Sequence, residues 1–233
     1  PETYSATCNG EPVPAQMEAA DVWAQVTVRP RSFLTLNLSG EKAKAAPLAT
    51  VGLPAEGNLV LENERVRYEL DRTLRIVSAY DKEAKRVFMT SEKPGNVVEL
   101  FDDHPTEYDA WDIEEYATRM PVARPEVLSL ETLSGPVRSG ILCRYRLGKS
   151  VFLQFATLQA GSKRLDFETS VDWREKHKLC RASFPVDVRA PEARFEIQYG
   201  TIARSTNVNT KWQYAQFETC GHRYADLSDN QFG

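Results

Sequence analysis

Histidine is scarce in this chain of 233 residues: there are three, at positions 104, 177 and 222. No HxH, HExxH or His-x-Asp spacing links them, so no metal site is legible from a ligand pattern. Four cysteines (Cys8, Cys143, Cys180 and Cys220) lie far apart without a CxxC pair, which excludes a disulfide-dense scaffold. A chain of this size does not depend on bridges, and reduced, mostly buried thiols in a cytoplasmic protein are expected. Long apolar runs are missing as well. None approaches the ~20 residues that span a bilayer, so no membrane partner is expected. Nor is there an excess of charge: 29 Lys and Arg against 33 Asp and Glu leave a formal net charge of −4, no electrostatic case for nucleic acid. The opening residues, PETYSATCNG, carry neither the basic region nor the apolar stretch of a secretory leader.

What is present is alternation. A hydrophobic content of 42% is enough for a core. Residues 22–38, VWAQVTVRPRSFLTLNL, alternate apolar and polar, the period-two pattern of one or two half-buried strands turning near Pro30. The Ala-, Pro- and Gly-rich stretch 39–57 reads as a linker or crossover. From Asn58 onward, short strand-like runs recur: LVLEN, VRYELD, RIVSAYD, RVFM, NVVELF, then VLSLETL through AQFET. ILCRYRL and VFLQFATL, joined by GKS, read as a hairpin with a glycine turn. TEYDAWDIEEYATRM is the exception, with room for a helical turn or two. The expected fold is all-β: a large antiparallel sandwich over 58–233, preceded by strands of a smaller β domain over 1–38.

The stretch from Gly95 to Ile113 carries the densest chemistry. Asp102, Asp103, Glu107, Asp109 and Asp112 interleave with Tyr108 and Trp111. Carboxylates accept hydrogen bonds from sugar hydroxyls, and an aromatic ring covers the apolar face of a pyranose. Equally, Tyr108 and Trp111 fit core anchors, and the acids a solvated rim. Asp109 and Asp112 stand at i, i+3, which would place both on one face of a local helix.

Other segments follow in order: NLVLENERVRYELD, IVSAYDKEAKRVF, VDWREKHKLCRASFPVDV, FEIQYGTIARSTNVNTKWQYAQFE and CGHRYADLSD. Taken together, these resemble the C-terminal β-rich region of family thirty-eight glycoside hydrolases, the α-mannosidases. The resemblance is closest to the branch of cytosolic and bacterial enzymes, and runs from Asn58 to the end, about three quarters of the chain. It implies a super-sandwich like that of galactose mutarotase. It also implies a parent enzyme that hydrolyses terminal α-D-mannosides with retention. In that family the nucleophilic Asp and a divalent metal site, expected to hold zinc, lie in an N-terminal barrel with no counterpart here. No catalytic residue and no metal ligand are therefore expected in this chain, which should be inactive alone. The missing initial Met and the stop at DLSDNQFG, where the family continues, suggest a piece excised from a longer polypeptide.

The partners so implied are an α-mannoside and the catalytic barrel of the same polypeptide, with a homo-oligomer through exposed β surface left open. For the rim of the cleft, the resemblance points to Asp109, Trp111 and Asp112, and to Arg204, Asn207, Asn209 and Trp212. At the second group the family has Arg-Pro-Thr-His-Arg-Asn-Thr, whereas this chain has Arg204, Ser205, Thr206, Asn207, Val208, Asn209 and Thr210. Asn207 replaces the His. An amide can hydrogen-bond a hydroxyl but exchanges no proton near neutral pH. A polar turn joining two strands fits the same residues. Two other functions remain open: a free-standing carbohydrate-binding module using Trp111 or Trp212, and an aldose epimerase-like enzyme drawing its acid from His104, His177 or His222.

Overall fold

Alternation sorts the strand Arg138–Leu147 into two faces. Ile141, Cys143, Tyr145 and Leu147 are buried, while Arg144 and Arg146 point to solvent. Its antiparallel partner, Ser150–Gln159, repeats the pattern with Phe152, Ala156 and Leu158 inward. The register runs from Arg138 opposite Gln159 to Leu147 opposite Ser150, which leaves Gly148 and Lys149 as a two-residue loop. Gly148 has φ 63°, a left-handed conformation that glycine adopts without steric cost at the first loop position. The hairpin expected between ILCRYRL and VFLQFATL is thus formed.

The computed structural model describes residues 4–42, 49–108 and 111–230. With 51% of the described residues in strands and 5% in helices, sheets carry the fold. That hairpin lies at the centre of a four-stranded sheet with Glu126–Leu133 and Leu165–Asp172 at its edges. Opposite it is a five-stranded sheet in the order Arg86–Met89, Ile76–Asp81, Val66–Leu70, Leu59–Glu62, Thr50–Gly52. Leu59, Leu61, Val66, Leu70 and Ile76 from the second sheet meet Ile141, Tyr145, Phe152 and Leu158 from the first in one apolar core. A three-stranded sheet of Pro121–Ala123, Val97–Asp102 and Lys178–Ser183 adds Val98 and Leu100 to it. A second three-stranded sheet, Gly200–Ser205, Glu192–Ile197 and Ala225–Asp226, carries the C-terminal candidate segment. All these strand pairs are antiparallel.

The N-terminal part differs from the sequence expectation. Strands form at Asp21–Ala24 and Leu36–Lys42, and a turn does fall at Pro30 and Arg31. Between the two strands no strand forms, and Val28 and Phe33 are left exposed by the described residues. The strand Leu36–Lys42 crosses the boundary read at 38, and Thr50–Gly52 pairs with Leu59–Glu62. The 39–57 stretch therefore holds strand at both ends, because Val51 packs against the core. Its middle, 43–48, is outside the described residues.

A second hairpin, Ala15–Glu18 with Asp21–Ala24, docks on the four-stranded sheet through buried polar groups. Gln16 is fully buried; its Oε1 accepts from the backbone N–H of Val137 (2.8 Å) and Arg138 (3.0 Å). The Arg138 guanidinium grips Glu18 with its Nε and Nη2 (2.9 and 2.6 Å) and lies 3.8 Å from the centre of the Trp23 ring. Side-chain exposures of 6% and 10% make Arg138–Glu18 a desolvated pair. Removing one partner would strand the other charge without water. Arg138→Met is expected to cost about 3 kcal/mol or more of unfolding free energy. Urea denaturation checks this, and a loss under about 1 kcal/mol would mean that the pair does not anchor the hairpin.

Candidate functional site

The acidic–aromatic segment leaves the strand Val97–Asp102 at the sheet end. Asp102 pairs with Lys178, which holds its carboxyl below the usual range by hydrogen bonding. Tyr108 takes a left-handed φ of 56°, and its carbonyl accepts from the N–H groups of Trp111 (2.8 Å) and Asp112 (3.0 Å). Asp109 is outside the described residues. Trp111 is 82% exposed, its ring edge-on to Tyr108 at 5.5 Å, so within this chain it is no core anchor. Asp112 is exposed, and its Oδ1 accepts from the adjacent Ile113 N–H (3.0 Å). The helical turn expected here is the 3-10 helix Glu115–Arg119.

The second segment follows the strand Gly200–Ser205. Ser205 Oγ accepts from Asn207 N–H and donates to Asn207 C=O, both at 3.1 Å, a hydroxyl-closed turn. Thr210 caps the short helix Lys211–Ala215: its side chain accepts from Gln213 N–H (3.1 Å), while Gln213 Oε1 accepts from the N–H groups of Asn209 (2.8 Å) and Thr210 (3.2 Å). Most polar atoms of this stretch thus serve its own backbone. The side chains of Asn207, Asn209 and Trp212 face solvent, Trp212 at 76% exposure. Arg204 is half-buried.

The structure joins the two segments at a point that the sequence did not mark. The Tyr214 hydroxyl donates to Glu115 and accepts from Arg119 Nη2 (3.0 Å), while Arg119 also pairs with Glu115. The Tyr214 hydrogen bond, then Arg119, holds the Glu115 carboxyl below its usual range, and Glu115 in turn raises the Tyr214 phenol. Beside this bridge is a cavity of about 480 Å³, lined among others by Glu115, Phe195, Arg204, Gln213, Tyr214 and Phe217. Of the sequence-predicted residues among those described, Arg204 lines it; Trp111, Asp112, Asn207, Asn209 and Trp212 do not. The i, i+4 spacing of Glu115 and Arg119 was a legible signal for an ion pair, but the partner 99 residues away in Tyr214 was not.

A guanidinium, an amide, a carboxylate and aromatic walls suit hydroxyl-rich ligands. They do not suit zinc, which takes clustered thiolate, imidazole or carboxylate donors. Among the described residues no group of three or more His, Cys, Asp or Glu side chains is placed to hold a metal ion. His104 and His177 stack on each other at 5.0 Å, and His222 follows a different strand, its N–H bonded to Glu196 C=O (3.0 Å). None of the three lines the cavity, so they do not form an epimerase-like acid/base pair there.

The family model described as "Glycosyl hydrolases family 38 C-terminal domain" matches residues 61–233. "Alpha-mannosidase G" of Dictyostelium discoideum is 33% identical over 222 residues, which cover 89% of this chain and 20% of that protein. "Alpha-mannosidase 2C1" of Homo sapiens is 36% identical over 181 residues, covering 76% of this chain and 17% of that protein. This chain therefore spans a fifth or less of the length of these relatives. The crystal structure of an alpha-mannosidase from Enterococcus faecalis V583 aligns over 98% of this chain and 31% of its own with a TM-score of 0.66. At 15% identity that likeness establishes the fold alone.

The Glu115–Tyr214 bridge is testable by pH. A carboxyl with a lowered folded-state pKa stabilises above its unfolded value, 4.5 for Glu, and that stability is lost as pH falls through the folded value. Tyr214→Phe is thus expected to be less stable than the parent chain at neutral pH, with the difference closing under acid. Denaturant titrations near pH 7 and pH 3 check it; a pH-independent difference would remove Glu115 from the account.

Proposed function

We propose that this chain, which belongs to the glycosyl hydrolases family 38 C-terminal domain family, serves as the β-rich C-terminal region of a retaining α-mannosidase. The observation that carries the proposal is the match over residues 61–233, together with relatives above 30% identity that are alpha-mannosidases. In this reading the full polypeptide hydrolyses terminal α-D-mannosides, with its two catalytic carboxyl groups and its metal, zinc, held in a barrel that this chain does not supply. The chain by itself turns over no substrate. That the match covers a fifth or less of each relative favours this reading over a free-standing sugar-binding module.

Its own contribution is support and recognition. Arg204, beside Glu115 and Tyr214, is the candidate best placed for a sugar hydroxyl. Asp109, Trp111, Asp112, Asn207, Asn209 and Trp212 would act further out on the rim, as hydroxyl contacts and stacking rings. The two segments joined by Tyr214 and Glu115 also carry exposed Tyr108, Trp111, Met120, Val208 and Trp212, an apolar surface suited to the barrel of the same polypeptide. Exposed Phe33 and Leu153 lie elsewhere and suit a homo-oligomer. A cytoplasmic location is supported by four free thiols, at Cys8, Cys143, Cys180 and Cys220. Among the described residues no helix is long and apolar enough to cross a membrane.

The test is hydrolysis of an aryl α-mannoside by the full-length polypeptide, with added zinc and with chelator. Hydrolysis suppressed by chelator is expected, and no hydrolysis under either condition would overturn the assignment. In that enzyme Arg204→Ala is expected to lower kcat/KM about 10-fold, roughly 1.4 kcal/mol of transition-state stabilisation. A stable variant with unchanged kinetics would place Arg204 off the rim.

A further inference from the structure

The strands Glu192–Ile197 and Gly200–Ser205 are joined by a turn of Gln198 and Tyr199. Tyr199 has a left-handed φ of 60° and a fully exposed side chain, at 110% relative accessibility. A tyrosine held in this region costs free energy that glycine would not, and among the described residues the ring packs against nothing in return. The two-residue loop accounts for the positive φ; it does not account for a large aromatic side chain held wholly exposed where glycine or asparagine would serve the turn.

The surroundings offer that ring a use. Tyr199 faces an open cleft of about 780 Å³, lined with it by Glu196, Gln198, Thr201, Arg223 and Tyr224, over Gly200. A Cβ at Gly200 would meet nothing within 4 Å, so the floor is clear. Tyr224 is 54% exposed, which gives the cleft a second aromatic wall. The polar parts are fixed in place. Glu196, its side chain 13% exposed, accepts from Arg223 N–H (3.1 Å) and Nη2 (3.0 Å), while its own N–H donates to Tyr224 C=O (3.0 Å). A mostly buried carboxylate therefore orients a guanidinium that is itself 84% exposed. Two accessible rings with an oriented guanidinium and an amide are the requirements for a pyranose: apolar faces for its C–H groups and fixed donors for vicinal hydroxyls.

We propose that this cleft is a second, non-catalytic binding site for a hexopyranose unit of an oligosaccharide, held between Tyr199 and Tyr224 and hydrogen-bonded by Arg223 and Gln198. It shares no lining residue with the cavity at Glu115 and Arg204. Gly200 and Ser205, at opposite ends of one strand, stand about 17 Å apart at the usual rise of ~3.4 Å per residue. An oligosaccharide of a few units could span that distance. Only the choice of mannose as the sugar rests on the function proposed above.

The experiment uses the full-length polypeptide and its Tyr199→Gly and Tyr224→Ala variants, with α-linked mannotetraose as the probe in calorimetric titration, run in chelator so that the probe is bound and not hydrolysed. Each variant is expected to bind the tetrasaccharide at least about 5-fold more weakly, while hydrolysis of an aryl α-mannoside is unchanged. Because glycine relieves the backbone at position 199, the melting temperature of Tyr199→Gly should hold or rise, which separates lost binding from lost folding. Unchanged tetrasaccharide binding in both variants would overturn the site. So would a lower melting temperature for Tyr199→Gly, since the ring would then be seated against protein. If the unaltered polypeptide does not hydrolyse the aryl mannoside, the proposed enzyme fails, yet the titration still decides the cleft.

Discussion

Two antiparallel sheets must each hide one face, and that requirement sets nearly everything else in this chain. Leu59, Leu61, Leu70, Ile141, Leu147 and Leu158 are fully buried between them, each adding about 1.5–3 kcal/mol relative to exposure. The closeness of the packing is visible at Gly140, where a Cβ would come within 2.7 Å of the Ala156 carbonyl oxygen across the ladder. Tyr145, its ring stacked on Phe152 at 5.1 Å, is accepted into this core although its hydroxyl finds no partner there among the described residues. Burial pushes that phenol up from its usual range, so it stays protonated.

Chemistry is thereby displaced to the edges. Strand interiors are taken up by packing and ladder hydrogen bonds, so the carboxylates, amides and exposed rings gather where strands end. The Asp102–Arg119 stretch leaves one sheet, the 205–219 stretch leaves another, and a single tyrosine hydroxyl ties them. Within the second stretch, local turns consume much of the polarity: Ser205, Thr210 and Gln213 satisfy backbone groups before any ligand arrives. The residues that line cavities are a smaller and different set from that suggested by polarity along the sequence: Arg204 and Tyr214 at one end of the small sheet, Tyr199, Arg223 and Tyr224 at the other.

The N-terminal hairpin shows a second way of fastening β elements. Instead of apolar area it uses a buried amide and a desolvated ion pair, Gln16 and Arg138–Glu18, with Trp23 over the guanidinium. Such contacts are specific in geometry but intolerant of losing one member, in contrast to the graded response of an apolar core. Arg138 opens the central strand of the four-stranded sheet, so the hairpin and the sandwich share one residue as a joint.

The sequence by itself determined the all-β class, the hairpin at Gly148, the helical turn near Glu115 and the family, because period-two alternation, turn chemistry and ordered motifs are local and read directly along the chain. It also singled out Arg204, which lines the cavity beside Glu115. It did not determine that Trp111 is exposed, that Gln16 and Arg138 lock two units together, or that Tyr214 reaches Glu115. Nor did it mark Tyr199, whose interest lies in its full exposure beside a cleft. Those features were decided only in the tertiary structure: the contacts join residues 95 or more positions apart, such as Arg119 and Tyr214, that the sheets bring within hydrogen-bonding distance, and the exposures depend on what the fold leaves uncovered.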